Sequence, residues 1–531
     1  MKDYSTPLPW IGAGAPPLDA GQFGEKAHWL SRAAALGLPV PPGVVLGPET
    51  AGAGGAPEEA AIDSAIAQLE AMTGACLGSA ESPLLLALRP SAAFSAGGIA
   101  PAVLNLGVTE ETLPALASRL GERAARELAR RLIQSFGTAA LEIESEAFDF
   151  ALHDALKDAG ADSETELDER ALDRLCRRCV ALIAEEGEEI PESPRAQLHR
   201  AIAAMSAAWT APRARMRRMA RGEAEDAPLS FILQEMVLGL GPEPSGAGLL
   251  RLRDEGSGAR GLTGRYLPQA QGEDARAGLR TPLVVSASER ARRGLPQPSL
   301  SEREPALAEM IGDMAERVER AFGDAFEFDV TVSAGMPWLL ELRPARRSAR
   351  AAVRIAVELA EEGAIGHAQA ILRLDASLID EHLHPSLDPH APRDPIGRGL
   401  PASPGAAAGP LVFAPEAAEA AAHQGTPAIL ALVETGPEDI RGMHAAAGVL
   451  TVRGGMTSHA AVVARGLGRP CVVGAKDLVL DREAGTLEAR GGRLFSEGAP
   501  VTVEGSEGLV LAGMVRTIPP QITGAFGTLM G

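Results

Sequence analysis

The stretch RGGMTSHAAVVARGLGRPCVVGA, residues 453–475, places paired glycines, a Thr-Ser pair and one histidine ahead of an Ala/Val-rich run. Gly454 and Gly455 carry no side chain, so the backbone there tolerates positive φ and admits close neighbours. Thr457 and Ser458 belong to the residue types that cap helix N-termini. The pattern therefore predicts a tight glycine loop that leads directly into a helix.

The run HAAVVARGLG predicts this short helix, with Gly466 or Gly468 as its end. His459 would then lie in the first turn, beside backbone N–H groups that have no helical partner and at the positive end of the helix dipole. Such a position favours a phosphate group. The alternative is an ordinary capped helix in which the histidine has no chemical role, and the residues of this segment alone leave both interpretations open.

Length and composition indicate a globular protein of several domains. The chain has 531 residues, of which 46% are hydrophobic and 23% are charged, and its length suggests roughly three or four domains. The formal net charge of −20 disfavours general binding to nucleic acid or to an anionic membrane, since both need a basic surface. A local arginine cluster would still bind anionic substrates.

The sequence lacks the patterns of a signal peptide, a membrane span and a disulfide framework. The first residues, MKDYSTPLPWIGAG, have no apolar core, and no run approaches the ~20 apolar residues of a transmembrane helix. Four cysteines are few for a chain of this length, so we expect a cytoplasmic protein. Cys176 and Cys179 lie in a helical pattern, and HLHP at 382–385 resembles a linker, so neither segment predicts a metal site.

Alternating strand-like and helix-like segments predict an α/β multidomain fold. Short apolar runs separated by turns indicate mixed α/β structure on either side of a charged helical stretch. A segment rich in proline and histidine precedes the last α/β part, which suggests parts that move relative to one another. The predicted divisions are an α/β part (1–112), a helical insertion (113–225), a second α/β part (226–347), a helical linker and hinge (348–396), a last α/β domain (397–515) and a tail (516–531).

Two segments of the first α/β part suit phosphate groups. In FGEK, Lys26 lies just ahead of a helix, where its ammonium could meet phosphate oxygens. The chain has only four lysines. A lysine at a predicted phosphate site is therefore more informative than an arginine, since arginine is the usual positive residue of this chain and the two differ where a compact charge is needed. In LALRPSAAFSAGGIA, Arg89 ends a strand and precedes a small-residue loop with Gly97 and Gly98. Each segment alone also fits a solvated surface.

Acidic side chains lie on two further predicted strands, FEFDV and LLELRP. Glu327 and Asp329 are two residues apart, so both side chains project from the same face of their strand. Glu341 and Arg343 lie on the neighbouring strand. Carboxylates that meet there could hold Mg²⁺ against phosphates, because Mg²⁺ prefers oxygen ligands. Paired acids are also common on a solvated face.

The chain resembles the pyruvate, phosphate dikinase family of phosphoenolpyruvate-utilising enzymes. The most specific segments are GVLTVRGGMTSHAAVVARGLGRPCVVGA (448–475), GLPASPGAAAG (399–409) and ETGPEDIRGMHAAAG (434–448). Earlier segments, LGLPVPPG, VLNLG, QGEDARAGLRTP and AAVRIAVELAEEG, extend the resemblance over most of the chain. It implies an ATP-grasp-like nucleotide-binding domain, formed by residues 1–112 and 226–347, and a swivelling phosphohistidine domain at 397–515.

The resemblance also implies roles for individual residues. His459 matches the histidine that takes a phosphoryl group from ATP, and a neutral imidazole nitrogen is a competent nucleophile for this step. Backbone N–H groups of the loop Gly454–Ser458, which includes Gly455 and Thr457, would stabilise the incoming phosphate. The implied cations for the ATP phosphates are Lys26, Arg89 and Arg343, with Gly97 and Gly98 in the phosphate loop, and the implied Mg²⁺ ligands are Glu327, Asp329 and Glu341.

Several positions depart from the family pattern. The family's Gly-Gly-Lys-Gly is GEKA in this chain, which puts the negative charge of Glu25 beside Lys26. Together the departures favour a nucleotide site that is weakened, altered or lost. The others are Pro101 in place of an aspartate, the reversed order Glu327-x-Asp329, Glu341 in place of a glutamine and Arg265 in place of a glutamate.

In the family a pyruvate/phosphoenolpyruvate-binding barrel follows, whereas this sequence ends at PPQITGAFGTLMG, which resembles the segment before that barrel. One hypothesis is an enzyme that phosphorylates His459 from ATP, with phosphate as co-substrate and the acceptor barrel on another chain. The alternative is a non-catalytic nucleotide-sensing or regulatory module with a degenerate ATP-grasp site, and a gene fragment without function is a third. The intact GGMTSHAAVVARG favours the first hypothesis, and the altered acids favour the second.

Overall fold

The structure is a computed structural model whose described residues form two compact units. The first unit comprises residues 1–253 and 261–345, and the second comprises residues 254–260 and 346–531. Several sheets and 17 α-helices within the described residues confirm the predicted α/β multidomain class. The described residues are 4, 6–52, 55–92, 101–220, 222–272, 274, 280–374, 383–388, 391–482, 484–489, 491–520 and 525–530.

Five antiparallel strands form one sheet of the first unit: β1 (Trp10–Ile11), β2 (Gly43–Leu46), β3 (Leu86–Ser91), β4 (Val103–Leu106) and β5 (Ser230–Glu235). Their order is β1-β2-β5-β3-β4. Alternate residues of a strand face opposite sides of the sheet, so Val44 and Leu46 join one buried core whereas Val45 joins another. The sheet is therefore covered on both faces.

A second sheet of this unit contains β6 (Gly246–Arg253), β7 (Arg260–Pro268), β8 (Leu283–Val284), β9 (Phe326–Ser333) and β10 (Met336–Pro344). The order is β10-β9-β6-β7-β8, and β9 pairs antiparallel with both β6 and β10. The register between β9 and β10 shifts between Leu339 and Glu341. Residues of both sheets, such as Val45 and Phe328, share one hydrophobic core, which holds the two sheets in a fixed arrangement.

Eleven α-helices of the first unit pack on these sheets or form a separate helical stretch. Six of them, α3 to α8 below, lie within residues 113–225, where the sequence predicts a helical insertion. The helices are α1 (Ala20–Ala35), α2 (Glu59–Thr73), α3 (Leu113–Leu120), α4 (Glu122–Ala140), α5 (Ser145–Ala159), α6 (Glu169–Glu185), α7 (Pro194–Thr210), α8 (Pro212–Met219), α9 (Ala287–Arg293), α10 (Leu300–Arg303) and α11 (Pro305–Phe322).

Cys176 and Cys179 both lie on α6 and are not joined in a disulfide. Burial raises the pKa of the Cys176 thiol to about 12 and that of the Cys179 thiol to about 11. The thiolate is the reactive and metal-binding form, and burial disfavours this form at both cysteines.

The second unit begins with helices and continues into mixed α/β structure. Its helices are α12 (Ala349–Glu361), α13 (His367–Leu372), α14 (Pro415–His423), α15 (Ile440–Ala445), α16 (His459–Leu467) and α17 (Ala525–Met530). Its strands are β11 (Ser386–Leu387), β12 (Pro395–Arg398), β13 (Leu400–Ser403), β14 (Ala406–Val412), β15 (Ile429–Leu432), β16 (Gly448–Thr451), β17 (Cys471–Val473), β18 (Leu478–Asp481), β19 (Thr486–Ala489), β20 (Arg493–Ser496), β21 (Pro500–Glu504), β22 (Leu509–Ala512) and β23 (Thr517–Ile518).

An eight-stranded sheet forms the centre of the second unit, in the order β12-β22-β21-β14-β15-β16-β17-β13. The pairs β14·β15, β15·β16 and β16·β17 are parallel. Every residue of β15 and β16 is buried, as expected for parallel strands covered on both faces. Ala460, Ala461 and Ala464 of α16 belong to the core on one of these faces, so the sheet fixes the helix that starts at His459.

The finer domain boundaries of the sequence analysis stay predictions. The division between the two units near residue 346 lies close to the predicted end of the second α/β part at residue 347. Among the described helices, none is both long enough and apolar enough to cross a bilayer.

Candidate functional sites

The sequence 453–475 forms the loop and helix that its residue types predict. Ser458 is the N-cap of α16, and its Oγ accepts a hydrogen bond from the N–H of Ala461 at 3.4 Å. Gly468, with φ of 60°, ends the helix in the left-handed conformation, so of the two predicted ends Gly468 is the one observed. His459 is the first helical residue and is half-buried.

Gly454 supplies the sharp bend before this helix. Its φ is 106°, a value that residues with a side chain rarely adopt. A Cβ at this position would lie 3.2 Å from Ser458, the capping residue. Thr457 is exposed and Gly455 is partly exposed, so the loop presents backbone groups to solvent just before His459.

Thr435 completes this site and was missed in the sequence analysis. Its Oγ1 lies 3.3 Å from Nδ1 of His459, and in the described part of the chain the other ring nitrogen, Nε2, makes no hydrogen bond. Thr435 follows β15 and the glycine loop follows β16, the adjacent parallel strand. Ligands commonly bind at the carboxyl ends of parallel strands, and this rule could have pointed to the threonine in ETGPED.

In the first unit, a kink in α1 positions Lys26. Gly24 interrupts the helix with φ of 84°, and a Cβ there would clash with Ser91 and with the backbone N of Ala92. The N–H of Glu25 donates to the carbonyl of Ala92 at 2.9 Å. This hydrogen bond joins helix α1 to the residue that follows β3. Lys26 lies next to a cavity of about 40 Å³.

Arg89 reaches from β3 toward residues of β5 and β10. Its guanidinium donates to Oε1 of Gln234 and to Oε2 of Glu341, each at 2.9 Å, and also to the carbonyl of Leu340. Lys26 Nζ lies 3.7 Å from the same Glu341 carboxylate. The structure therefore brings together two predicted phosphate-binding cations and one predicted metal ligand.

Glu327 lies between two arginines because of strand register. On β9 it faces Arg251 of β6 on one side and Arg343 of β10 on the other. Arg251 Nε donates to Oε2 and Arg343 Nε donates to Oε1, both at 2.7 Å. Burial raises the pKa of Glu327, but hydrogen bonds and charge from the two arginines outweigh it, so the pKa lies below its ordinary value.

Asp329 and Glu341 face each other across β9 and β10. Like charges at such positions repel, and Arg343 lies near both, at 4.0 Å from Asp329 Oδ1 and 3.4 Å from Glu341 Oε1. We refer to Lys26, Arg89, Arg251, Arg343, Glu327, Asp329 and Glu341 as the arginine–acid cluster.

The arginine–acid cluster does not fit a resident divalent cation. Mg²⁺ needs oxygen ligands at about 2.0–2.1 Å in near-octahedral geometry. Each predicted ligand instead has an arginine within 4.0 Å, and across the described ranges no three His, Cys, Asp or Glu side chains gather as a metal site. Guanidinium groups, rather than an open coordination position, face the predicted ligands Glu327, Asp329 and Glu341.

The sequence also singles out Gly97, Gly98, Pro101 and Arg265. Gly97 and Gly98 lie outside the described residues. Pro101 is exposed, and Arg265 lies on β7 opposite Val284. Sequence reasoning missed Arg251 and Gln234; the signal for Arg251 was an arginine in the strand-like run LLRLRD, but its partner depends on pairing of strands far apart in sequence.

Comparison with known proteins identifies relatives of this chain. Residues 425–508 match the family model described as PEP-utilising enzyme, mobile domain. Over 96% of its length the chain is 38% identical to pyruvate, phosphate dikinase of Rhizobium meliloti and 36% identical to that of Clostridium symbiosum. It is 37% identical to pyruvate, phosphate dikinase 2 of Oryza sativa subsp. japonica, also over 96% of its length.

The chain covers 58%, 58% and 57% of these three relatives, so it spans a little over half of their length. Their names describe phosphotransferase enzymes. Nearly the whole chain is therefore similar to part of a pyruvate, phosphate dikinase.

Proposed function

We propose that this chain uses ATP to phosphorylate His459, the partial reaction of a pyruvate, phosphate dikinase-like phosphotransferase. The observation that carries the proposal is the position of His459 as the first residue of a capped helix, inside the segment that matches the mobile-domain model. The N-terminus of a helix favours an anion through its N–H groups and dipole. A histidine at this position is suited to accept and hold a phosphoryl group.

In this proposal Thr435 selects the nucleophilic nitrogen. When Nδ1 carries the proton and donates to Thr435 Oγ1, Nε2 keeps its lone pair and attacks phosphorus. Backbone N–H groups of the loop from Gly454 to Ser458 stabilise the negative charge of the transferred group. ATP, phosphate and His459 give AMP, pyrophosphate and phosphohistidine, so atoms and charges balance without a further reactant.

The first unit would supply the nucleotide site. Residues 1–112 and 226–347 would form an ATP-grasp-like domain, and residues 397–515 a swivelling domain that carries His459. Lys26, Arg89 and Arg343 would bind the ATP phosphates through charge-assisted hydrogen bonds. The resemblance also implies Mg²⁺, but the acids of the arginine–acid cluster have arginine partners, so this hypothesis gives the ion no protein ligands there.

We place the acceptor site, for pyruvate or phosphoenolpyruvate, outside the residues of this sequence, in the same polypeptide or in a separate barrel protein. The shares of the relatives that the chain covers support this placement. Residues 1–531 would then stop at one phosphoryl group per chain, unless water slowly releases it. Adding a separately produced barrel domain should allow repeated turnover, measured as pyruvate formed from phosphoenolpyruvate, AMP and pyrophosphate.

A second candidate is a non-catalytic nucleotide-sensing or regulatory module. The observation that favours it is the pairing of Glu327 and Glu341 with arginines, since these acids would otherwise be available to a metal–nucleotide complex. In that case the chain would bind nucleotide without transferring phosphate to His459.

Incubation with ATP labelled at the β-phosphate separates the two candidates. The phosphotransferase predicts acid-labile label on the wild-type chain, its loss in His459→Ala and its retention in His444→Ala. His444 is an exposed histidine of α15 in the same unit and serves as the matched control. Label that persists in His459→Ala would refute the assignment of the nucleophile, and ATP binding without any label would favour the sensing module.

A further inference from the structure

The strongest ion pairs of the arginine–acid cluster surround Glu327. Each carboxylate oxygen of Glu327 has its own guanidinium, from Arg251 on one neighbouring strand and from Arg343 on the other. Both arginines lie directly opposite Glu327 in the strand register. The backbone pairing of β6, β9 and β10 therefore places these three side chains next to one another.

In these ion pairs the cationic side chains are more exposed to solvent than the acidic ones. The side chains of Arg251 and Arg343 are 26% and 34% exposed, whereas that of Glu327 is 11% exposed. Lys26, at 23%, is also more exposed than its partner Glu341, at 11%. An incoming ligand would contact a surface formed by guanidinium and ammonium groups.

Counting the formal charges around this group shows no excess of either sign. Lys26, Arg89, Arg251 and Arg343 carry four positive charges, and Glu327, Asp329, Glu341 and the neighbouring Glu25 carry four negative charges. The group is neutral before any ligand binds. It has no excess negative charge to attract a divalent cation, and a cation would have to displace arginines from buried carboxylates.

We propose that Arg251 and Arg343 take the place of a divalent cation here, so that the site binds the polyphosphate of a nucleotide as the metal-free anion. The nucleotide in this inference rests on the proposed function, whereas the exclusion of metal rests on the ion pairs alone. Guanidinium forks match phosphate oxygens in geometry and charge. The ligand class is therefore a nucleoside polyphosphate without Mg²⁺.

Arg253 shows what a purely structural arginine looks like on the same strand. Its side chain is 1% exposed and is paired with Glu319 of α11, whose side chain is 4% exposed. Arg251, two residues earlier, is paired with an acid but reaches solvent. The contrast argues that Arg251 faces a ligand position rather than the core.

The test uses the full chain and three titrations. Calorimetry measures ATP binding in EDTA and then in excess MgCl₂, and electron paramagnetic resonance measures binding of Mn²⁺ alone. We expect the wild type to bind ATP in EDTA at least as tightly as with MgCl₂, and to bind no Mn²⁺ at this site at millimolar concentration. Arg251→Met should weaken metal-free ATP binding by about tenfold or more and should create a Mn²⁺ site that the further change Asp329→Asn removes.

Two further variants serve as controls for the binding titrations. Arg292→Met removes an exposed arginine of α9 and should leave all three titrations unchanged. Arg251→Lys keeps the charge but loses the fork, so its metal-free ATP affinity should lie between those of the wild type and Arg251→Met. Thermal melting checks that each variant is folded.

Two results would overturn the inference: ATP binding by the wild type that requires Mg²⁺, or wild-type Mn²⁺ binding that Asp329→Asn abolishes. A wild type that binds ATP in neither buffer would refute the nucleotide ligand together with the proposed function. The Mn²⁺ titration would then still decide whether the arginines exclude a metal.

Discussion

The His459 loop and the arginine–acid cluster are built in opposite ways. The loop comes from one continuous segment, residues 453–459, to which Thr435 adds a side-chain contact with His459. The cluster gathers side chains from segments far apart in sequence, with Arg89 and Glu341 separated by 252 residues. A site made from local backbone geometry can be recognised in a sequence, whereas a site made from ion pairs depends on how distant strands pair.

Two buried glutamates, Glu327 and Glu504, differ in the direction of their pKa shifts. Glu327 has two arginine partners, and its pKa lies below the ordinary value. Burial of Glu504 on β21 raises its pKa to about 7, although the backbone N–H groups of Ser506 and Glu507 donate to its carboxylate. Cationic partners, rather than burial alone, therefore decide which way a buried carboxyl shifts.

The largest expected effect is a difference in the free energy of unfolding between a variant of the buried Arg253 and a variant of the partly exposed Arg251. Arg253→Ala should lower the free energy of unfolding by about 3–5 kcal/mol, because it leaves Glu319 buried without its partner. Arg251→Ala should cost clearly less, since its side chain already reaches solvent. Urea unfolding of both variants measures the difference, and equal destabilisation would mean that Arg251 is also structural.

A pH-dependent effect is expected at Glu504. Its folded pKa is raised from 4.5 to about 7, so its stabilising contribution is present below pH 4.5 and is lost as the pH rises through about 7. The loss approaches about 3 kcal/mol at most, at 1.36 kcal/mol for each pKa unit. Glu504→Gln should therefore raise the melting temperature at pH 8 and change it little at pH 4.5.

Thermal melting at the two pH values checks this expectation by comparing the variant with the wild type. A stabilisation of the same size at pH 4.5 and pH 8 would show that the effect is not due to ionisation of Glu504.

Next in size is the loss of nucleotide affinity on removal of single cations. Lys26→Ala and Arg89→Ala should each weaken ATP binding by about 1–3 kcal/mol, the range for charge-assisted hydrogen bonds. Lys157→Ala removes an exposed lysine of α5 and is the matched control. Calorimetry measures all three variants, and affinities that match the control would remove the arginine–acid cluster from the nucleotide site.

The smallest expected effect tests the positioning of His459. Thr435→Val keeps the shape of the side chain but removes the hydrogen bond to Nδ1, so the rate of labelling by ATP should fall by about fivefold, corresponding to about 1 kcal/mol. Nitrogen NMR should show a larger fraction of the tautomer with the proton on Nε2. An unchanged tautomer ratio with a slower rate would assign Thr435 a role other than orienting the ring.

Much of the His459 site could be predicted from the sequence. The glycine loop, the capping residue Ser458 and the start of the helix at His459 follow from preferences of adjacent residues for particular backbone conformations. The sequence left the end of the helix open between two glycines, and the structure shows Gly468. The helical stretch within 113–225 was predictable for the same reason, since helix formation depends on near neighbours.

Backbone turns, caps and helices can be predicted from this sequence, because they depend on residues within a few positions of one another. The partners of the acids depend instead on tertiary contacts. The register of β6, β9 and β10 places Arg251 and Arg343 opposite Glu327, and packing of α1 against β3 places Lys26 near Glu341. Such contacts depend on the pairing and packing of segments remote in sequence, and they surround the predicted metal-binding acids with arginines.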